Sequence, residues 1–147
     1  MIVYIAGPTA GTKLVCIYAK PVDAGVRGAI GGIRRDAEAI YLGGRWSSGI
    51  GGRSSIFATR RTLVSGSYGI ASQGGGHPHV KALDVLEDLI ALAPAGVIAD
   101  PFAGSGSTLV AAMQLGRHAI GVELEERYCE VIAKRLAQGV LDFGEGA

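Results

Sequence analysis

Two acidic residues, Asp100 and Glu123, each end a short apolar run and lie on either side of a glycine turn. The turn contains Gly104 and Gly106, and Glu123 follows Asp100 by 23 positions. A turn without side chains lets a ligand approach the backbone. When a helix follows such a turn, its first N–H groups bind anions, and an acid at the end of the next strand reaches ribose hydroxyls. The pattern is therefore typical of a nucleotide-binding unit.

The elements that must position these residues follow from apolar periodicity. Residues 97–99 predict a buried strand, the segment after Gly106 predicts a helix, and residues 119–122 predict a second strand. We expect Ser107 to cap the helix and Gly116 to form its left-handed end. An unpaired carboxylate at the end of a buried strand would be costly, so we expect Asp100 to have a cationic or N–H partner.

The glycine turn alone does not specify a ligand, and an α/β unit that binds nothing is an alternative. Leu109 occupies the third glycine position of the dinucleotide fingerprint, which argues against a nicotinamide enzyme and against close helix–sheet contact of that kind. A phosphate-binding P-loop is excluded because no Gly-Lys-Ser/Thr follows.

Three segments carry a resemblance to a known family. Residues 100–108, DPFAGSGST, resemble the S-adenosylmethionine loop of the amino-group DNA methyltransferases, which modify adenine N6 or cytosine N4. The sequence GVE at 121–123, followed by Tyr128 and by AKRL at 133–136, resembles that family's next segment. HPHVKA at 77–82 resembles its His-Pro-x-x-Lys-Pro segment, with alanine in place of the second proline. The order is that of the permuted (beta) subgroup, whose cofactor half is C-terminal.

The resemblance implies S-adenosyl-L-methionine as the cofactor. We expect Asp100 to receive its ammonium group, backbone N–H groups of residues 103–107 its carboxylate, Glu123 its ribose, and Phe102 to pack on its methionine portion. The cost of a lysine in the first turn of a helix suggests that Lys81, or the loop at His77, meets the carboxylate. The predicted cofactor-binding residues are His77, Lys81, Asp100, Phe102, Ala103, Gly104, Ser105, Gly106, Thr108 and Glu123.

The distribution of charge favours DNA as a partner. Residues 13–61 contain nine Lys/Arg and three acids, a balance of +6, whereas residues 62–147 contain five Lys/Arg and ten acids, a balance of −5. A basic half beside an acidic half suits a protein that lays one surface on a polyanion; solvated loop charges are the alternative. By resemblance, Lys20, Arg34 and Arg35 face DNA.

The target-base segment of the resembled family is absent from these residues. That family holds the target amine with an Asp/Asn/Ser-Pro-Pro-Tyr/Phe/Trp tetrapeptide, and this sequence contains no Pro-Pro. We therefore predict no catalytic residue. Three explanations stay open: a truncated methyltransferase, a half-enzyme completed by a second polypeptide or second copy, or a non-catalytic remnant that binds S-adenosylmethionine or DNA. Methylation of a small molecule or a protein is a further alternative.

The predicted fold class is α/β, a Rossmann-like parallel sheet with flanking helices. We expect one compact domain with a glycine- and arginine-rich half at 1–76 and a cofactor half at 77–147. Further strands are predicted at 1–6, at 14–19 (an apolar run typical of burial on both faces), at 37–42 and at 56–59. A helix is predicted from the proline at 78, and another after Glu123 that ends at Gly139.

Several functional classes are excluded by composition. No apolar run approaches the length of a membrane helix, and the first residues lack the pattern of a signal peptide. Cys16 and Cys129 lack metal-ligand spacing, so no metal is predicted, and we expect both to be reduced and buried in a cytoplasmic protein. The expected setting is DNA methylation in restriction–modification.

Overall fold

The computed structural model describes residues 2–4, 12–20, 37–44, 51–59 and 80–141. The chain divides into two compact units. The N-terminal unit comprises Met1–Ser65 with Leu92–Pro94, and the C-terminal unit comprises Gly66–Ala91 with Ala95–Ala147. The predictions for His77, Arg34 and Arg35 lie outside the described residues.

The N-terminal unit contains a four-stranded mixed sheet. Its strands are β1 (Ile2–Tyr4), β2 (Thr12–Ala19), β3 (Ala37–Gly43) and β4 (Ile56–Ala58), in the spatial order β1-β3-β2-β4. β3 is antiparallel to both β1 and β2, whereas β4 is parallel to β2. The four predicted strands therefore form.

Strand β2 is buried on one face only, so the prediction of burial on both faces is wrong. Cys16 and Tyr18 are buried, whereas the intervening Ile17 is 40% exposed and Val15 is 50% exposed. Cys16 pairs with Ile40 of β3, which is fully buried. Buried and exposed side chains alternate along β2, as they do in a sheet that is covered on one face only, which antiparallel pairing permits. Burial raises the pKa of the Cys16 thiol.

The described part of the C-terminal unit contains a parallel strand pair and three helices. The strands are β5 (Ile98–Asp100) and β6 (Ala119–Gly121), and the helices are α1 (Leu83–Ala91), α2 (Ser107–Gln114) and α3 (Glu126–Leu141). α2 connects the two strands and contacts both of them as well as α1 and α3. This strand–helix–strand unit agrees with the predicted α/β class.

The two ends of α2 are formed by glycine. Gly106 is the N-cap with φ of 77°, and no side chain caps the helix, so the prediction of a Ser107 cap is wrong. At the other end Gly116 has φ of 63°, as predicted. The N–H of Gly116 donates to Met113 O at 2.9 Å, and the N–H of Arg117 donates to Ala112 O at 2.8 Å. These two bonds make the Schellman end that glycine favours.

Other sequence predictions require correction. α1 begins at Leu83, so Lys81 precedes the helix and does not occupy its first turn. α3 continues through Gly139 to Leu141, because one glycine costs a helix only about 1 kcal/mol. Cys129 is exposed, and only Cys16 is buried as predicted.

Candidate functional site

Asp100 and Glu123 lie at the same end of the β5–β6 pair. Asp100 pairs with Gly121, and the N–H of Val122 donates to the Asp100 backbone oxygen at 2.9 Å. A Cβ on Gly121 would point at Leu109 of α2, so this face of β6 is the one that α2 covers. Paired residues share a face and side chains alternate along a strand, which places Asp100 and Glu123 on the face toward α2.

Asp100 has the N–H partner that its position predicted. Its Oδ1 accepts a hydrogen bond from the N–H of Phe102 at 3.0 Å. Strand β5 is nevertheless only half-buried, so the expected fully buried strand is not observed. The ring of Phe102 is 88% exposed, and it is available to pack against a ligand at the mouth of the turn.

Glu123 holds the glycine turn to β6. Its Oε2 accepts from the N–H of Gly104 at 2.7 Å, and its Oε1 accepts from the N–H of Glu125 at 2.9 Å. Each carboxylate oxygen has a second lone pair, so these bonds are compatible with acceptance from hydroxyl groups. The acid therefore orders the turn in the structure as it stands.

The backbone N–H groups of the turn divide into two sets. Those of Ala103 and Gly106 donate to Val122 O at 2.9 Å and to Ala103 O at 2.7 Å, and that of Gly104 donates to Glu123. Within the described part of the chain, the N–H groups of Ser105 and Ser107 donate to no protein acceptor. They are the turn's two donors that stay open to an anion.

Arg135 of α3 contacts this turn, and sequence reasoning did not identify it as a site residue. Its guanidinium donates to the backbone oxygen of Ser105, to Ser105 Oγ at 3.3 Å and to Ser107 Oγ at 3.4 Å. Partial burial lowers the pKa of Arg135. The available signal was its helical spacing: Arg135 lies three positions after Ile132, on the side of α3 that faces the turn.

Two glycines bring the helices close to the turn and to the sheet. A Cβ on Gly106 would lie 2.7 Å from Ile132 Cγ1 of α3. A Cβ on Gly121 would lie 2.6 Å from Leu109 Cδ1 and 3.1 Å from Ala103 Cβ. α2 therefore approaches β6 closely, because the strand supplies the glycine that the helix lacks. The expectation that Leu109 prevents close contact between helix and sheet is therefore wrong.

The remaining predicted residues are distributed as follows. Ser105 and Gly106 are buried, Thr108 is half-buried in α2, and Lys81 lies just before α1. Lys20, predicted to face DNA, belongs to the N-terminal unit and forms a 2.7 Å ion pair with Glu38. The structure thus brings together the residues from Asp100 to Glu123.

A cavity of about 560 Å³ lies at the other end of β6, away from the predicted site. Of the predicted cofactor residues that the structure describes, none lines it. Its walls are Leu109, Met113, Gly116, Arg117, His118, Ala119, Leu136 and Ala137. Among the described residues, no group of three or more His, Cys, Asp and Glu side chains is arranged to hold a metal, and no helix is long and apolar enough to cross a membrane.

Sequence comparison identifies related proteins. The profile of the N6/N4 family described as DNA methylase matches residues 47–135. YubD of Escherichia coli (strain K12), named as a methylase, is 49% identical over 73 residues, which are 48% of this chain and 32% of that protein. Type II methyltransferase M2.LlaDCHI of Lactococcus lactis subsp. cremoris is 42% identical over 67 residues, 44% of this chain and 25% of that one. The matches thus span a third or less of these relatives.

Structural comparison identifies the fold. The crystal structure of M1.HpyAVI superposes with a TM-score of 0.59 at 22% identity, covering 85% of this chain and 59% of that one. Its complex with S-adenosylmethionine superposes with a TM-score of 0.55 at 23% identity, covering 85% and 61%. The Rossmann-like methyltransferase fold predicted from the sequence is confirmed.

Proposed function

The chain belongs to the N6/N4 DNA methylase family, and we propose that its C-terminal unit binds S-adenosyl-L-methionine for transfer of a methyl group to an exocyclic amine of adenine or cytosine in DNA. One observation carries the proposal. Asp100 ends β5, and Glu123 lies two residues past the end of β6 and holds the N–H of Gly104, while the N–H groups of Ser105 and Ser107 in the turn between them stay open. The proposed setting is cytoplasmic restriction–modification.

The proposed pocket suits each part of the cofactor. The Asp100 carboxylate, at the strand end, attracts the ammonium group of the amino-acid tail. The N–H groups of Ser105 and Ser107, at the N-terminus of α2, take the tail's carboxylate. Glu123 accepts hydrogen bonds from the ribose hydroxyls while keeping the Gly104 N–H, and the exposed Phe102 ring covers the methionine portion. His77, Lys81 and Thr108 complete the proposed set.

The reaction needs little covalent chemistry from the protein. Bound S-adenosyl-L-methionine would supply the methyl group: the amine nitrogen would displace the thioether sulfur from the methyl carbon in line, and water would take the proton that the amine loses. The protein must position the two reactants, which lowers the activation free energy substantially. The target base must also leave the duplex stack.

Titration calorimetry with S-adenosylmethionine tests the site. We expect binding by the unaltered chain, and a loss of roughly tenfold or more for Asp100→Ala and for Glu123→Ala, because each change removes charge-assisted hydrogen bonds. Glu130→Ala is the matched control, since Glu130 is exposed and its ion pair with Lys134 is 3.9 Å long. Thermal unfolding of each variant verifies folding. Equal affinity in all the proteins would contradict the proposed site.

We propose that residues other than these 147 hold the target amine, in a second polypeptide or in additional chain. The support is the lack of a Pro-Pro tetrapeptide in this sequence. Methyl transfer to DNA by these residues alone would contradict this part of the proposal. Transfer only after addition of a polypeptide that carries Asp-Pro-Pro-Tyr would support it. If cofactor binds and no polypeptide restores transfer, the chain acts as a non-catalytic subunit or remnant.

A further inference from the structure

We infer that Arg135 is a positioning residue that keeps the glycine turn open to the carboxylate of the cofactor. The inference rests on the proposed function, and it assigns to α3 the role of holding the glycine turn in place. Arg135 touches no predicted ligand atom itself; it acts through Ser105 and Ser107, whose oxygens it binds.

The peptide unit between Ser105 and Gly106 is held at both ends, and Arg135 holds one of them. The guanidinium donates to the backbone oxygen of Ser105. The N–H of the same peptide unit, that of Gly106, donates to Ala103 O at 2.7 Å. Ile132, one helical turn before Arg135, lies against Gly106. The orientation of the turn therefore depends on α3 as well as on its own sequence.

Arg135 also withdraws two hydroxyls that would otherwise compete with a ligand. Serine near the start of a helix commonly accepts hydrogen bonds from its first N–H groups. Here the hydroxyls of Ser105 and Ser107 contact the guanidinium, and no side chain caps α2. The N-terminal donors of α2 are left for an anion, and the positive charge of Arg135 reinforces the positive end of the helix dipole.

All three contacts of Arg135 are made by one nitrogen of its guanidinium, Nη1. Nη1 has two N–H groups for these three oxygen atoms, so one N–H is shared between two of them, and the plane of the guanidinium fixes the direction of both. Partial burial lowers its pKa, yet arginine remains charged near neutral pH. Lysine at this position would keep the charge and lose the geometry.

Two ligands separate positioning from a purely structural role. S-adenosylmethionine has the amino-acid tail, whereas 5′-methylthioadenosine lacks it and uses only the nucleoside part of the site. For Arg135→Met we expect the affinity for S-adenosylmethionine to fall roughly tenfold or more, because the charge-assisted hydrogen bonds that hold the turn are lost, whereas the affinity for 5′-methylthioadenosine should change less than about threefold. Arg135→Lys should recover part of the loss. Lys134→Met, next along the exposed side of α3, is the control.

The outcomes distinguish this inference from the proposed function. Failure of the unaltered chain to bind either ligand refutes the proposed function, and the inference falls with it. If the unaltered chain binds both ligands and Arg135→Met loses affinity for both equally, or for neither, the positioning role is refuted and the proposed function stands. If Arg135→Met does not fold, Arg135→Lys serves instead: a loss of roughly twofold or more for S-adenosylmethionine only supports the inference, and an unchanged ratio of the two affinities overturns it.

Discussion

Gly106 meets two requirements that no other residue type satisfies together. Its φ of 77° lies in the left-handed region, and a Cβ would meet Ile132 at 2.7 Å. Alanine at a positive φ costs about 1 kcal/mol, and overpacking adds about 1–3 kcal/mol. We therefore expect Gly106→Ala to lower the free energy of unfolding by about 2–4 kcal/mol. Urea denaturation monitored by circular dichroism measures it.

Gly116 supplies the matched control for this prediction. Its φ of 63° is also left-handed, but a Cβ there would meet nothing within 4 Å. Gly116→Ala should therefore cost about 1 kcal/mol, from the backbone alone. The double variant Gly106→Ala/Ile132→Ala should remove the steric part of the Gly106→Ala penalty. Equal costs at the two glycines would show that Ile132 does not confine the turn.

The limits of sequence reasoning at this scale are visible in Ser107 and Arg135. The sequence correctly predicts the left-handed helix end at Gly116, because local rules of backbone conformation determine it. It predicts Ser107 as a cap because serine near a helix start usually is one. The structure shows its hydroxyl bound to Arg135, 28 positions away. A contact that distant depends on how α3 packs, which no local rule supplies.

At the scale of elements, strand β2 offers a direct test of one-sided burial. Ile17 is 40% exposed, whereas Ile40 of the neighbouring strand β3 is 0% exposed. We expect Ile40→Ala to cost about 2–5 kcal/mol, as for a fully buried side chain. Ile17→Ala should cost less than about 1.5 kcal/mol, because little apolar area is lost. The stabilities of the two variants are compared by their urea denaturation midpoints, measured at one protein concentration.

A large penalty for Ile17→Ala would show that a further element or molecule covers this face in solution. Repeating the measurement at several protein concentrations then identifies a second copy, since only an associating species gives concentration-dependent midpoints. The sequence could not settle this point. An unbroken apolar run such as 14–19 fits burial on one or both faces, and the covering layer is not encoded in the strand.

At the scale of the whole molecule, the parts of the fold differ in how far they could be predicted. The strand–helix–strand unit from Asp100 to Glu123 was predictable from strand and turn signals, because two parallel strands joined by a short helix can be connected in few ways. The antiparallel β1–β3–β2 order did not follow, because many glycines interrupt the pattern between residues 25 and 76. Membership of the DNA methylase family then connects both units to one proposed activity.

The unequal charge of the chain leads to the last prediction, which concerns DNA. If the +6 balance of residues 13–61 marks the DNA surface, binding to a short duplex should weaken linearly with the logarithm of salt concentration. Arg34→Ala and Arg35→Ala should each reduce the slope by about 1. Lys20→Ala should reduce it less, because the 2.7 Å ion pair with Glu38 already offsets the lysine charge. Fluorescence anisotropy across a salt series measures the slopes.

Lys134→Ala is the control for the slope measurement, because Lys134 belongs to the acidic half and pairs with Glu130. Its slope should equal that of the unaltered chain. Equal slopes for both arginine variants and the unaltered chain would rule out phosphate contacts at Arg34 and Arg35. A slope lowered most by Lys20→Ala would instead mean that DNA displaces Glu38 from the lysine, since an ammonium that stays paired with a carboxylate releases few counterions from phosphate.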